Sequence, residues 1–487
     1  ASDVYKRQSS YTSGNINING SGYVGGLAGY INNTVRNSFV QDVNVTSSSG
    51  KAGGFTGVFG SAASYDKISI KGTINVSGSN CIGGYVGASD ISLSNLNANV
   101  TGTVKATSGY AGGIAGSITS SRTISNCNAT MSITGSGGNY VGGIVGYANS
   151  ATISQSSYNG TITATGTGCV GGIAGVAGTI SQSSYNGTIT ATGTSSVGGI
   201  AGVSASVITN CTASGMINAS GSSSSIGGII GSMSNGNVTN CNSNMNINNS
   251  GTGNYIGGLI GQLSSSSIVV SKSYSTGNIT AANSSYVGGL IGDIRTNGHI
   301  TINSCYTTGN VTGSSNVGGF AGRIYADSNN GDSYYQVYIE TSFASGNVTG
   351  SNSTYTGGFV GYAHKVSSSD SYPMDGDIYI YTCYASGTVS SGKGFFGESN
   401  ASMSNCVYNN ANTASQGYQV TGLSLTQMQD QATMTARGFT TDKGWKYESG
   451  KTPQLIITST GKTSSTTNQS YSYYTVERPV NTNSIIL

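Results

Sequence analysis

Charge is what this chain has least of. Lys, Arg, Asp and Glu together make up 7% of its 487 residues, and the formal net charge is +3. Between positions 91 and 292 the only charged side chains are Lys105, Arg122 and Lys272. Capture of nucleic acid or of an anionic bilayer requires clustered Lys and Arg, so neither is expected as a main partner. No apolar run approaches the ~20 residues that a membrane-spanning helix needs. No stretch has the layout of a secretory leader. With two histidines, His299 and His364, and no CxxC pair, a zinc site is not expected. Proline is also scarce, at 3 residues, and tryptophan occurs once.

What fills the chain instead is Gly, 77 residues of it, with Ser, Thr and Asn. So polar a mixture can mean disorder, because too little apolar surface is present to offset the entropy of ordering. Here the apolar residues recur in register with glycine pairs. Gly-Gly falls at 25, 53, 83, 112, 142, 171, 198, 227, 257, 288, 318 and 357. The steps run from 27 to 31 residues until a last one of 39, and a degraded copy lies at 392–397. A fixed period of this size marks a stacked-repeat architecture. Such an array grows in one dimension, so the chain length does not imply several globular domains.

One unit, 268–292, holds three stretches of strand length with alternating character, bounded by Gly, Ser or Asn and without helical periodicity. That predicts an all-β fold, a parallel β-solenoid (β-helix) with three short strands per coil and about 13 coils. At the inter-strand spacing these would stack to roughly 60 Å. Gly288-Gly289 and Gly318-Gly319 are expected to turn a corner through positive φ, and the closing Gly292 likewise. The interior column after that corner reads Ile133, Ile162, Ile189, Ile217, Ile247, Ile279, Val311, Val348, Val389, nearly all β-branched. Asn and Thr flank it on the outward side. Tyr274, Tyr306, Phe343 and Tyr384 share another column in four successive coils, which predicts a stacked aromatic file. Residues 152–167 and 179–194 are identical, as expected of a unit that can be copied whole.

Val/Ile-Gly-Gly-Leu/Ile/Phe-x-Gly followed by Ser/Asn-Cys/Ser-Tyr-x-x-Gly-Asn-Val/Ile-Thr resembles the GLUG motif, a repeat of microbial cell-surface and adhesin-like proteins. The resemblance covers residues 11–408 and departs from the pattern at Gly392-Lys393-Gly394-Phe395. It implies an extracellular or cell-surface location and carries no catalytic residues.

Four segments are expected. Residues 1–8 differ in composition from the rest and read as a non-native or unstructured leader. Residues 9–410 form the array, which begins part-way through a unit and so implies natural sequence upstream. Residues 411–457 form a cap in which Ser424-Leu-Thr-Gln427 reads as a capping box, with Leu425, Met428 and Ala432 at helical spacing. The helix is expected to plug the last coil. Residues 458–487 are a Ser/Thr-rich tail.

Two neighbouring coils carry inserts, 323–337 and 362–378, holding Asp327, Asp332, Asp370, Asp375 and Asp377. Carboxylates at this density offer oxygen ligands suited to Ca²⁺, although neither insert matches a full calcium loop. Inserts of a repeat array gather on one face, often the binding face. Cys211 and Cys241, and Cys383 and Cys406, stand in one column of consecutive coils, within reach of disulfides or equally as buried Ser replacements. Asn278, Asn310 and Asn347 open Asn-x-Thr sequons on the outward face.

The function expected is a structural or adhesive element at the cell exterior: a rod, stalk or filament subunit, self-associating end to end or with other surface proteins, with no catalytic activity. The alternative is a glycan-binding or carbohydrate-active β-helix working through the Asp-rich inserts. Glycoside hydrolysis needs two carboxylates about one bond, and positions 91–292 supply none.

Overall fold

The computed structural model describes residues 10–119, 121–166, 168–204, 206–326, 335–365, 377–411, 416 and 419–457. Two units are distinguished, Ala1–Ile457 and Thr458–Leu487, and the second lies outside the described residues.

The first unit is a parallel β-solenoid. One turn shows the plan: Ser196–Gly198, then Ala201–Ser204 and Ile208–Thr209, then Thr212–Ser220. Each segment pairs in parallel with the same segment of the turns before and after. The segments ending at the glycine pair make a 12-stranded parallel sheet, and the remaining solenoid strands join a 39-stranded one. Register follows the repeat: Ile133, Ile162, Ile189, Ile217, Ile247, Ile279, Val311 and Val348 are successive partners. All of these are buried. The identical copies lie directly on one another, paired from Thr152 with Thr179 to Thr165 with Thr192.

The stack amounts to about ten turns, fewer than the thirteen expected from counting motifs. Of the twelve corner strands, the two outermost have a neighbour on one side only. The degraded copy at 392–397 contributes a single bridge, Gly357 to Lys393, in place of a corner strand. The degraded copy therefore does not add a regular corner to the stack.

The corners differ from expectation in their chemistry. The chain bends at each glycine pair, but Gly288, Gly289, Gly292, Gly318 and Gly319 are not among the residues with positive φ. They are glycine because there is no room. A methyl on Gly289 would fall on the carbonyl oxygen of Gly319, one on Gly319 on that of Gly358, and one on Gly292 on the main chain of Ile256. Left-handed backbone is found instead at a corner the repeat does not advertise. Asn37, Lys67, Asn95, Asn126, Gln155, Gln182, Asn210, Asn240, Lys272, Ser304, Thr341, Thr382 and Asn405 take φ of 48–56° in a single column. Asn tolerates that region better than most residues, and stacked Asn side chains bond there, Asn240 Nδ2 donating to Asn210 Oδ1 at 2.6 Å.

The next residue inward is the Cys/Ser column. Each Ser hydroxyl donates to the carbonyl two residues back and accepts a main-chain amide from the preceding turn, as Ser273 does with Ser271 O and Cys241 N. Cysteine substitutes for the donor: Cys211, Cys241, Cys383 and Cys406 point their thiols at Thr209, Thr239, Tyr381 and Ser404 carbonyls. All eight cysteines are free and buried, so neither disulfide forms. In-register parallel neighbours keep their Cα–Cβ bonds parallel, which holds the Cβ atoms near the ~4.8 Å rung spacing and outside the ~3.5–4.5 Å a disulfide prefers.

Burial pushes Cys127 and Cys169 up to about 11 and Cys305 and Cys406 up to about 12. Thiols raised above their unfolded value of about 8.5 contribute stability that is complete below that pH and lost as pH rises through the folded values. Alkaline unfolding beginning between pH 9 and 12 is therefore expected, with iodoacetamide silent on the native protein at pH 8 and labelling the thiols once urea is added. Rapid native labelling would contradict this burial.

At the C-terminal edge, Val420–Leu423 adds one more parallel strand to Cys406–Asn409. Gln416 Oε1 accepts the amides of Phe395 and Phe396, and Gln419 Oε1 that of Met403. Two glutamines thus satisfy edge donors that would otherwise face water. The capping box at Ser424 and Gln427 forms, but the helix is two short helices, α1 (Leu425–Gln429) and α2 (Gln431–Thr435), with Asp430 capping the second. They do not plug the interior. Met428, Met434, Phe439 and Trp445 pack sideways on Phe343, Tyr384 and Val407, a cluster separate from the solenoid core. Leu425, expected on the buried face, is exposed at the first position of α1, and Ala432 is exposed too, with Met434 buried in its place, because the break at Asp430 rotates the register of the second helix.

Candidate functional site

The inserts leave the solenoid between strands Ala321–Ala326 and Gln336–Ala344 in one turn, and Val360–Lys365 and Asp377–Ala385 in the next. Asp327, Asp332, Asp370 and Asp375 lie outside the described residues. Asp377 opens its strand, accepts the Tyr379 hydroxyl at 2.7 Å and faces Lys365 Nζ at 3.8 Å. Among the described residues no group of three or more His, Cys, Asp or Glu is placed to hold a metal ion.

What flanks the inserts is tyrosine. Ten of the chain's 31 tyrosines fall within residues 325–384, and the four strands carry six of them, Tyr325, Tyr338, Tyr362, Tyr379, Tyr381 and Tyr384, on the two sides of the insert corner. On the near side, Arg323 pairs with Tyr362 and Tyr325 with His364. Ile324 and Ala363, between them, point into the core. The Tyr325 and His364 rings stand 6.1 Å apart and the Tyr362 and His364 rings 5.6 Å apart, nearly parallel, while Tyr355 meets Tyr362 edge-on at 5.4 Å. On the far side, Tyr338 and Tyr379 stack at 4.9 Å, with Tyr381 tilted against Tyr379. Burial, reinforced by the Asp377 carboxylate it bonds, raises the Tyr379 phenol above its ordinary range.

Beneath the near side lies an ion pair that sequence reasoning did not find. One turn separates Asp293 from Arg323. Nε and Nη2 of the guanidinium donate to both carboxylate oxygens, at 2.6 and 3.0 Å. The Asp293 side chain is 0% and that of Arg323 11% exposed. Gln262 Nε2 lies 3.3 Å from the carboxylate, and the guanidinium sits over the Tyr286 ring at 4.0 Å. Tyr286, at φ 56°, is a bulky residue in the left-handed region, a conformation that costs energy and persists only where surroundings enforce it. The available signal was that charges are so rare here: an Asp and an Arg at equal depth in consecutive units, in a chain that otherwise avoids both.

The other expected residues are placed as follows. Tyr274, Tyr306, Phe343 and Tyr384 form the aromatic file, with rings 4.7–4.8 Å apart and within 4° of parallel. The file ends against Trp445 of the cap. Asn278, Asn310 and Asn347 are exposed and form a ladder: each Oδ1 accepts the main-chain amide of the matching residue one turn on, Asn310, Asn347 and Thr388, at 2.9 Å.

A scan against protein-family models and searches of curated proteins and of solved structures found no match to this chain. No helix among the described residues is long and apolar enough to cross a membrane.

Proposed function

We propose that the chain is a structural or adhesive repeat protein of the cell exterior, a stalk or filament subunit with no catalytic role, as the GLUG-like motif implies. The observation that carries this reading is the parallel register of main-chain and side-chain ladders, kept from turn to turn over most of the array with local shifts. Every turn restrains its neighbours, a property useful for bearing load and presenting surfaces. Positions 91–292, about half of the array, hold no carboxylate, so that stretch offers no pair of carboxylates for glycoside hydrolysis. Glycan contact at the insert corner is a second reading, favoured by the concentration of tyrosine there.

Immunogold labelling of source cells together with negative-stain images of the purified full chain tests the first reading. Label on the outer surface and end-to-end assemblies are expected. Label confined to the cell interior, or a polysaccharide-cleaving activity abolished by Asp375→Ala, would overturn it.

A further inference from the structure

We propose that the outward face of Ala321–Ala326 and Val360–Lys365 is a binding surface for an uncharged polysaccharide, with Tyr325, Tyr362 and His364 as its ring platform and Tyr355 as its side wall. This deepens the adhesive reading, and rests on it, by naming the ligand class.

Four observations converge. The rings belong to strands paired on both sides, Ala321–Ala326 with Ile291–Asn303 and with Val360–Lys365, so their positions are set by the scaffold before any ligand arrives. They are not required by the fold: the Tyr362 column holds Val176, Val203 and Ser232 in other turns, and the Tyr325 column holds Ser264. Charge on the face is sparse and balanced. Arg323 is paired with Asp293, and the exposed Arg295, whose guanidinium lies 5.9 Å from the Tyr325 ring, is matched in number by Glu398 on the other side, so the described residues form no cluster of cations of the kind that captures a polyanion. Lastly, no aliphatic side chain is exposed on the face; the exposed large aliphatics among the described residues are Ile16, Val269, Leu425 and Ile456. A protein-binding hot spot is built around a desolvated apolar centre. Rings with polar tips and no aliphatic neighbours instead suit a ligand that offers C–H faces ringed by hydroxyls.

Arg323 acts as a positioning residue. Locked by Asp293, its guanidinium packs between the Tyr286 ring at 4.0 Å and the Tyr325 ring at 5.9 Å, which holds Tyr325 upright.

Native affinity electrophoresis of the full chain tests this, in gels containing mixed-linkage β-glucan, xylan or galactomannan, and in gels containing polygalacturonate or alginate. Retardation by at least one of the three neutral polymers is expected. Tyr325→Ser and Tyr362→Val install residues their columns already hold, so folding, checked by circular dichroism, is expected to survive. Each should weaken retention at least tenfold, about 1.4 kcal/mol, and Tyr147→Ala, remote in the same column, should leave it unchanged. Retardation by no polymer, retardation by the acidic ones alone, equal loss with Tyr147→Ala, or tyrosine-dependent capture of a protein-coated surface without any glycan retention would each overturn the proposal. The micrographs that test the adhesive reading do not depend on these gels, so the two can fail separately.

Discussion

Arg323→Met is expected to destabilise the turns around it by about 3–5 kcal/mol, the usual consequence of leaving a buried charge without its partner. Among the described residues Asp293 would keep only the Gln262 amide at 3.3 Å, with its side chain fully buried. The double substitution Asp293→Leu/Arg323→Met removes both charges and should recover most of the loss, because a buried pair is often replaceable by apolar residues of similar volume. Arg323→Lys should fall between, keeping the charge but losing the two-pronged contact. Since an array can unfold in parts, the measurement is hydrogen exchange resolved by segment. Equal protection in the wild type and in Arg323→Met would show that the pair contributes nothing.

Gly289→Ala should be comparably severe for a different reason. Its methyl would meet the Gly319 carbonyl of the next turn and the Thr307 side chain. Overpacking ordinarily costs about 1–3 kcal/mol, and the upper end or beyond applies here because main chain cannot rotate away. The expected result is a proteolytic nick near residue 289 in a protein otherwise resistant, with a lowered thermal midpoint. Gly193→Ala is the control: it sits at φ 67° but meets nothing within 4 Å, so it should cost only the backbone strain. If the two variants behaved alike, steric exclusion would be the wrong explanation for the glycine pair.

These two sites also mark where reading residues reaches its limit. Period, strand class, inward Ile and Val, the aromatic file and the capping box were all legible, because each depends on spacing along the chain. The glycine pair was legible as a corner but not in its cause, since an exclusion by the neighbouring turn involves residues thirty positions away. The left-handed column was missed because five different residue types fill it, Asn most often, and no single letter marks it. The cap was misplaced for a similar reason. Its helices cover an outward aromatic file, and the file's need for cover follows only from knowing which face of the strand Phe343 and Tyr384 occupy. The Asp293 and Arg323 pair required knowing that two units align at those positions, and the tyrosine face required knowing that the insert corner brings separate strands together.

Pairs of nitroxide labels on the outward-facing Thr column give the most direct test of the stacking on which everything above depends. Thr163 and Thr312 are five register steps apart, and Thr134 and Thr349 seven. At ~4.8 Å per step the separations should be about 24 and about 34 Å, before allowance for the label arms. Pulsed dipolar spectroscopy that finds distances rising by this increment with each intervening copy supports an in-register parallel stack. Distances that do not scale with the number of copies between the labels would contradict it.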